Sequence, residues 1–143
     1  MNELIFGHDG EIAQWVADRI PHVKTSFGPC SSIGVAACGR LIAGIVYHDY
    51  QPGHGTIQIS MAAESPLWAR RPTIAALLHY PFRQLKVFKV WTAIPVDNTP
   101  AIKVNEHIGF KREAILAHHF GRKRHCAIYR LLEPDYARML EER

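Results

Sequence analysis

Cysteine is scarce. The chain has three, Cys30, Cys38 and Cys126, an odd number with no Cys-x-x-Cys pair. That excludes a disulfide framework or a zinc finger as the organising element and leads to the expectation of a reducing, cytoplasmic setting. Long apolar runs are lacking as well: no segment approaches the ~20 residues of a membrane helix. The opening MNELIFGHDGEIAQW carries acidic residues where a secretion signal would be apolar, so no membrane partner is expected. Low-complexity tracts, Gly/Ser linkers and internal repeats are missing, which points to a single domain over residues 1–143. A chain of this size hides roughly 70% of its unfolded surface, enough for a real core. Acidic residues are outnumbered, 13 against 17 Lys and Arg, for a formal net charge of +4. An anionic ligand or partner follows from that balance, with nucleic acid, a phosphorylated cofactor and an acidic protein all compatible.

What is present has clear periodicity. ELIF is a short apolar run, and EIAQWVADRI places Ile12, Trp15, Val16 and Ile20 at helical spacing, with Pro21 as its stop. SSIGVAAC and LIAGIVYHDY read as strands of a hairpin turning at Gly39-Arg40. TIQISM alternates strictly, with Ile57, Ile59 and Met61 on one face. From Arg70 the apolar residues Ile74, Leu77, Leu78, Phe82 and Leu85 recur at helical steps; Pro72 suits the first turn and Pro81 should kink or shorten the end. VFKVWTAI is a further strand. A short helix follows, with Thr99 as expected cap, Pro100 in its first turn, Ala101, Val104 and Ile108 on its apolar face and Gly109 as its stop. FKREAILAHHF and RHCAIYRLL are expected as strands around a GRK turn, and the charged C-terminal residues as frayed or helical. Hairpins at both ends with helical crossovers between them predict a mixed sheet flanked by helices.

The segment DNTPAIKVNEHIGFKRE, with Asn98, Ala101 and the Gly109-Phe110 pair opening a strand, resembles the GNAT N-acyltransferase superfamily, most of all its ribosomal-protein N-terminal acetyltransferase branch and related small bacterial or phage proteins. The likeness runs through nearly the whole chain and is strongest from Trp68 to Tyr129. It implies an α/β (α+β) fold: a mostly antiparallel sheet of six to seven strands flanked by helices, with the fourth and fifth strands splayed apart. It also implies an acetyl-CoA-dependent N-acetyltransferase. A primary amine, on a protein or peptide N-terminus, a lysine or a small molecule, would attack the thioester directly in a ternary complex. Acetyl-CoA is then the co-substrate, with no metal.

The family's cofactor loop corresponds to RRPTIA, residues 70–75, where Arg70 and Ala75 match the signature and Thr73 replaces a glycine. Independently of any family, a helix N-terminus with two adjacent arginines, Arg70 and Arg71, favours a phosphate. The resemblance further implies backbone contacts to the thioester and pantetheine from Ala63, Glu64 and Ser65, where Pro66 ends strand pairing. Asn98 would touch the pantetheine arm and Lys103 the phosphates. Glu64 is the carboxylate expected to take the amine's proton, with His48, Tyr50 and His54 as alternative bases. Asn105 stands where many members carry a tyrosine that protonates the departing thiolate; an amide is a poor acid, so either the thiolate leaves unprotonated or Asn105 donates a hydrogen bond to the sulfur or to cofactor atoms.

Lys111, Arg112, Arg122, Lys123, Arg124 and Arg130 crowd the last hairpin as solvated charges. His118, His119, His125 and Cys126 lack a metal-ligand spacing. Two other classes compete: a catalytically degenerate protein of the same fold acting through protein or nucleic-acid contacts, and a basic nucleic-acid-binding protein of another fold. The second lacks interleaved stacking aromatics, so nucleic acid is not the expected partner. Monomer and homodimer both remain open, and the acceptor amine depends on loop shape.

Overall fold

The computed structural model describes residues 2–23 and 27–141. Seven strands form one sheet in the order β1-β2-β3-β4-β5-β7-β6: β1 (Glu3–Ile5), β2 (Cys30–Ala37), β3 (Arg40–Gln51), β4 (Thr56–Ala63), β5 (Lys89–Pro95), β6 (Lys111–Leu116) and β7 (Cys126–Leu132). Every pairing is antiparallel except β4 with β5. The mixed α/β architecture inferred from the residue pattern is therefore present. No described helix is long and apolar enough to cross a membrane.

Helices cover the two faces unequally. α2 (Arg71–His79), α3 (Thr99–Ile108) and α4 (Glu133–Glu141) contribute to the large core, where Ile74, Leu77, Leu78, Ile108 and Tyr136 meet Ile57, Ile59, Val90 and Ile94 of the sheet. α1 (Asp9–Ala17) packs on the other face, with Ile12 and Val16 against Val46 and Ala62. Its close approach needs glycine. A Cβ on Gly44 would lie 2.7 Å from a Val16 methyl, and one on its cross-strand partner Gly34 would lie 3.1 Å from Ile12 Cδ1.

Four local expectations are corrected. The β2–β3 turn centres on Cys38 and Gly39, both at positive φ (52° and 75°), one residue before the expected pair. Such a turn matches the twist of its strands and suits Gly at its second central position. α1 stops at Ala17 rather than Ile20, as Arg19 and Ile20 tighten into bonds to the carbonyls of Val16 and Ala17. Asn98, not Thr99, caps α3: its Oδ1 accepts from the Ala101 N–H at 3.3 Å. The last hairpin has shorter strands and a longer loop, residues 117–125.

Pro81 acts as the pattern implies, with an added compensation. α2 gives way to a π-helical turn, Tyr80–Gln84. Proline has no N–H to donate to the carbonyl four residues back, Leu77. The buried Tyr47 hydroxyl, from β3, donates to that carbonyl instead, at 2.6 Å.

Candidate active site

β4 and β5 pair only from Thr56 to Gln58, opposite Lys89 to Trp91. Beyond that point the two strands part, and the gap opens a cleft of about 880 Å³, within the range that accommodates a sizeable ligand. Ser60 to Pro66 form one wall and Thr92 to Pro95 the other; Trp68, Asn98, Pro100, Ala101, Val104 and Asn105 close it on one face of the sheet, and residues 19–22 on the other.

The direction of the β4 groups follows from alternation. The Glu64 N–H donates to Ile42 of β3 at 2.8 Å. Successive N–H groups point to opposite sides of a strand, so those of Ala62 and Ser60 also face β3, while those of Ala63 and Met61 face the gap. Side chains alternate too. Ile57, Ile59 and Met61 join the α2–α4 core, whereas Ala62 joins α1; Ser60 and Glu64 therefore lie on the α1 side.

Of the residues anticipated in the site, Ala63, Glu64, Ser65, Asn98 and Asn105 line the cleft. Glu64 is nevertheless poorly suited to the two roles expected of it. Its amide is spent on β3. Its carboxylate is gripped by two guanidinium groups: Arg19 Nη2 and Nε at 2.7 and 3.2 Å, and Arg40 Nη2 at 2.9 Å. These charge-assisted bonds hold its pKa below the usual carboxylate value and make it a weak proton acceptor. The Ser65 hydroxyl caps the short 3₁₀ turn Pro66–Trp68, accepting from Leu67 N–H at 3.2 Å.

Arg70, Arg71, Thr73, Ala75 and Lys103 do not line the cleft. Arg70 and Arg71 stand, solvent-exposed, at the start of α2, which follows the cleft residues Pro66 and Trp68 after two residues, and no side chain caps that helix. The positive end of a helix favours an anion there. Thr73 is buried, its hydroxyl 3.5 Å from Asn2 Nδ2, so its side chain packs beneath the helix instead of across the mouth. Ala75 is half-buried, and its carbonyl accepts from Tyr136. Lys103 is exposed on α3.

Asn105 is 3% exposed. Its Nδ2 donates to the Ala101 carbonyl at 2.9 Å, while its Oδ1 is buried without a hydrogen-bond partner among the described residues. An unsatisfied buried acceptor is costly, and this one belongs to a cleft-lining residue. Oδ1 thus calls for a donor, while Nδ2 carries a second hydrogen beyond the one given to Ala101.

Three features were not anticipated. Met61 adds a second gap-facing amide beside Ala63, a consequence of register that no residue type announces. His22 lines the cleft and stacks on Phe120, 4.2 Å between rings, tying the segment after α1 to the β6–β7 loop. Burial, with Arg124 and His119 nearby, lowers its pKa. His48 Nε2 lies 2.9 Å from the hydroxyl of Ser60, which lines the cleft. Burial lowers the His48 pKa, against a smaller opposing pull from Asp49, so this imidazole is neutral near pH 7. His48 was an alternative base on sequence grounds; Ser60 was not foreseen. Among the described residues lining the cleft, the titratable side chains are Arg19, His22 and Glu64, and none is a tyrosine or cysteine.

His118 and His125 are used structurally. His125 Nδ1 accepts from the His118 N–H at 2.9 Å, and His118 Nδ1 from the Lys123 N–H at 2.8 Å, shaping the β6–β7 loop. No three His, Cys, Asp or Glu side chains among the described residues come together as a metal would require.

This seven-stranded mixed sheet with one parallel pair shares its fold with solved structures of spermidine N-acetyltransferases. A mutant form of the spermidine/spermine N-acetyltransferase from Vibrio cholerae superimposes with a TM-score of 0.77 at 16% identity, covering 96% of this chain and 98% of that one. The spermidine N-acetyltransferase of Vibrio cholerae in complex with CoA and spermine gives 0.74 at 18% identity, over 95% and 98%. A chimera of the spermidine N-acetyltransferase from Vibrio cholerae and hSSAT gives 0.76 at 17%, again over 95% and 98%. No protein-family model matches the sequence, and no curated protein does.

Proposed function

We propose that the chain is an acetyl-CoA-dependent N-acetyltransferase that passes an acetyl group to a primary amine by direct attack in a ternary complex. The observation that carries this reading is the opened β4–β5 gap, with backbone amides on its wall and an orphaned acceptor, Asn105 Oδ1, buried beside it. Solved structures of the same fold support it, one of them a complex with CoA and spermine.

The groups present fit such a co-substrate on the α2–α3 side. The uncapped start of α2, with Arg70 and Arg71, suits a diphosphate. Asn98 and Asn105 flank the way in, and Asn105 Oδ1 accepts from an amide N–H of the pantetheine arm. The co-substrate supplies an activated acyl carbon. The Met61 and Ala63 amides, aimed into the gap, stabilise the oxyanion that develops on the acyl oxygen.

The amine approaches from the α1 side and must lose a proton, since amines hold theirs up to pH ~8–10. Ser60 takes it and passes its own to His48 Nε2, on the hydrogen bond already in place. Glu64, ionised between two arginines, instead ties the segment after α1 to the sheet. With no tyrosine or cysteine among the described residues of the cleft wall, the thiolate leaves as an anion, which a thiol pKa near ~8.5 permits around neutrality.

Calorimetry with acetyl-CoA, followed by thiol release in the presence of peptide and small-molecule amines, tests the reading. Binding with turnover is the expected result. Arg70→Ala with Arg71→Ala should weaken acetyl-CoA binding by about tenfold, as two phosphate contacts are lost. Binding without turnover on any amine would transfer the fold to a non-catalytic binding role, and no binding would end the proposal.

A further inference from the structure

We infer that the acceptor is an amine carrying an anionic group, a carboxylate or phosphate close to the nucleophile, and not a polycation. This rests on the acetyltransferase reading and concerns the α1 side of the same cleft.

The α1 side is bounded by residues 19–22 and by β4 side chains that alternate away from the large core. Its carboxylate is Glu64, whose two oxygens are already occupied: Oε2 by Arg19 and Oε1 by Arg40. A polyamine needs unpaired carboxylates to meet its ammonium groups, and Glu64 has no lone charge to offer. Asp18 precedes Arg19 but accepts from Gln14 at 2.7 Å and does not line the cleft.

Positive charge is in excess at the same mouth. Arg19 is held in place by Glu64, by the Trp15 carbonyl at 3.0 Å and by stacking on the Trp15 ring at 3.7 Å. Arg40 leaves 77% of its side chain exposed after meeting Glu64. Arg124 lies near His22, whose pKa burial lowers first and this charge lowers further. Arg40 reaches the cleft through Glu64, so two guanidinium groups meet the one carboxylate lining this side and leave about one net positive charge there, with exposed Arg124 near His22 adding to it. The strongly conserved geometry of guanidinium with carboxylate or phosphate makes such a site selective for those anions. The apolar surface beside it, from Ile20, Pro21 and Phe120, accommodates the body of the acceptor.

The test compares matched amines on the full chain with saturating acetyl-CoA. The peptides Ser-Glu-Glu-Ala and Ser-Lys-Lys-Ala, phosphoethanolamine against ethanolamine, and spermidine serve as probes. The anionic member of each pair should have a kcat/KM about tenfold higher than its counterpart, a preference that shrinks as salt is added. Arg40→Glu combined with Arg124→Glu should abolish or invert the order, while Arg40→Lys with Arg124→Lys should retain it; circular dichroism and the melting temperature verify folding of each variant. Preference for the peptide over phosphoethanolamine would assign the anion to an acidic N-terminal segment, and the reverse to a small phosphorylated amine. Spermidine turning over as well as the anionic amines, or no difference within pairs, would overturn the inference and leave the acetyltransferase reading intact. If no amine released thiol, that reading would fall, and calorimetry of the same pairs on the CoA-loaded protein would decide this one: tighter binding of the anionic members supports it, and equal or weaker binding defeats it.

Discussion

Thr56–Gln58 and Met61–Ala63 are the two ends of one strand, β4, and they meet different fates. The first three residues are zipped to Lys89–Trp91; the last three face a gap. On the other side both ends pair with β3, regularly from Gln58 to Ala63 and with a register shift between Gln58 and Thr56. The closed end has Ile57 and Val90 fully buried beneath helices, so burial holds the two strands together. The open end carries small residues, Ala62 and Ala63, and then Pro66, so little apolar area would be gained by closing it. One end therefore contributes stability and the other leaves amides unpaired for a ligand, a cost normally avoided in a folded chain.

Substitutions at each end should separate these roles. The largest effect is expected at the closed end. Ile57→Ala should cost about 3 kcal/mol of stability by urea denaturation, since a large buried side chain leaves a cavity, while activity per folded molecule stays close to normal. At the open end the pattern should invert. Ala63→Pro removes a gap-facing N–H without removing a bond to β3, so kcat should fall by roughly 10²-fold with a small change in melting temperature. An equal loss of stability from both would erase the distinction.

A comparable effect on turnover sharpens the comparison at Ser60, between the two ends. His48→Gln should lower kcat by about 10²-fold and remove the acid limb of the pH profile. The sign follows from the lowered His48 pKa. The base is competent above the ordinary histidine value of about 6.5, and activity falls only as pH drops below it through the folded-state pKa. The stability contribution runs the same way: present above about 6.5 and lost as acid forces a proton onto a buried ring. His22→Gln, at a residue also lining the cleft but with Arg124 and His119 beside it, should leave that limb in place; its disappearance there would move the base from His48 to His22.

Much of this was legible in the residues. The Ile57, Ile59, Met61 alternation marks β4, and the Ile74, Leu77, Leu78 spacing marks α2, because a buried face imposes its period on the chain. Pro100 and Gly109 bracket α3 for reasons of local backbone freedom alone, and Gly109 does sit in the left-handed region at φ 118°. The errors were of the expected kind. Thr99 and Asn98 are both good caps, and only the geometry of the bond to Ala101 separates them. The Cys38-Gly39 turn differs by one residue because strand register, not composition, sets it.

The site was legible only as candidates. Glu64 could be found as a carboxylate near a strand end, but its meeting with Arg19 and Arg40 joins residues separated by 45 and 24 positions. The same is true of His22 on Phe120 and of the Ser60 hydroxyl beside His48. What the chain determines by itself is the order and period of its elements, because those follow from local dihedral preference and from which face is apolar. Which amides remain unpaired, which carboxylate is neutralised and which histidine reaches the cleft are decided by packing across the sheet, where distance in space bears no relation to distance in sequence.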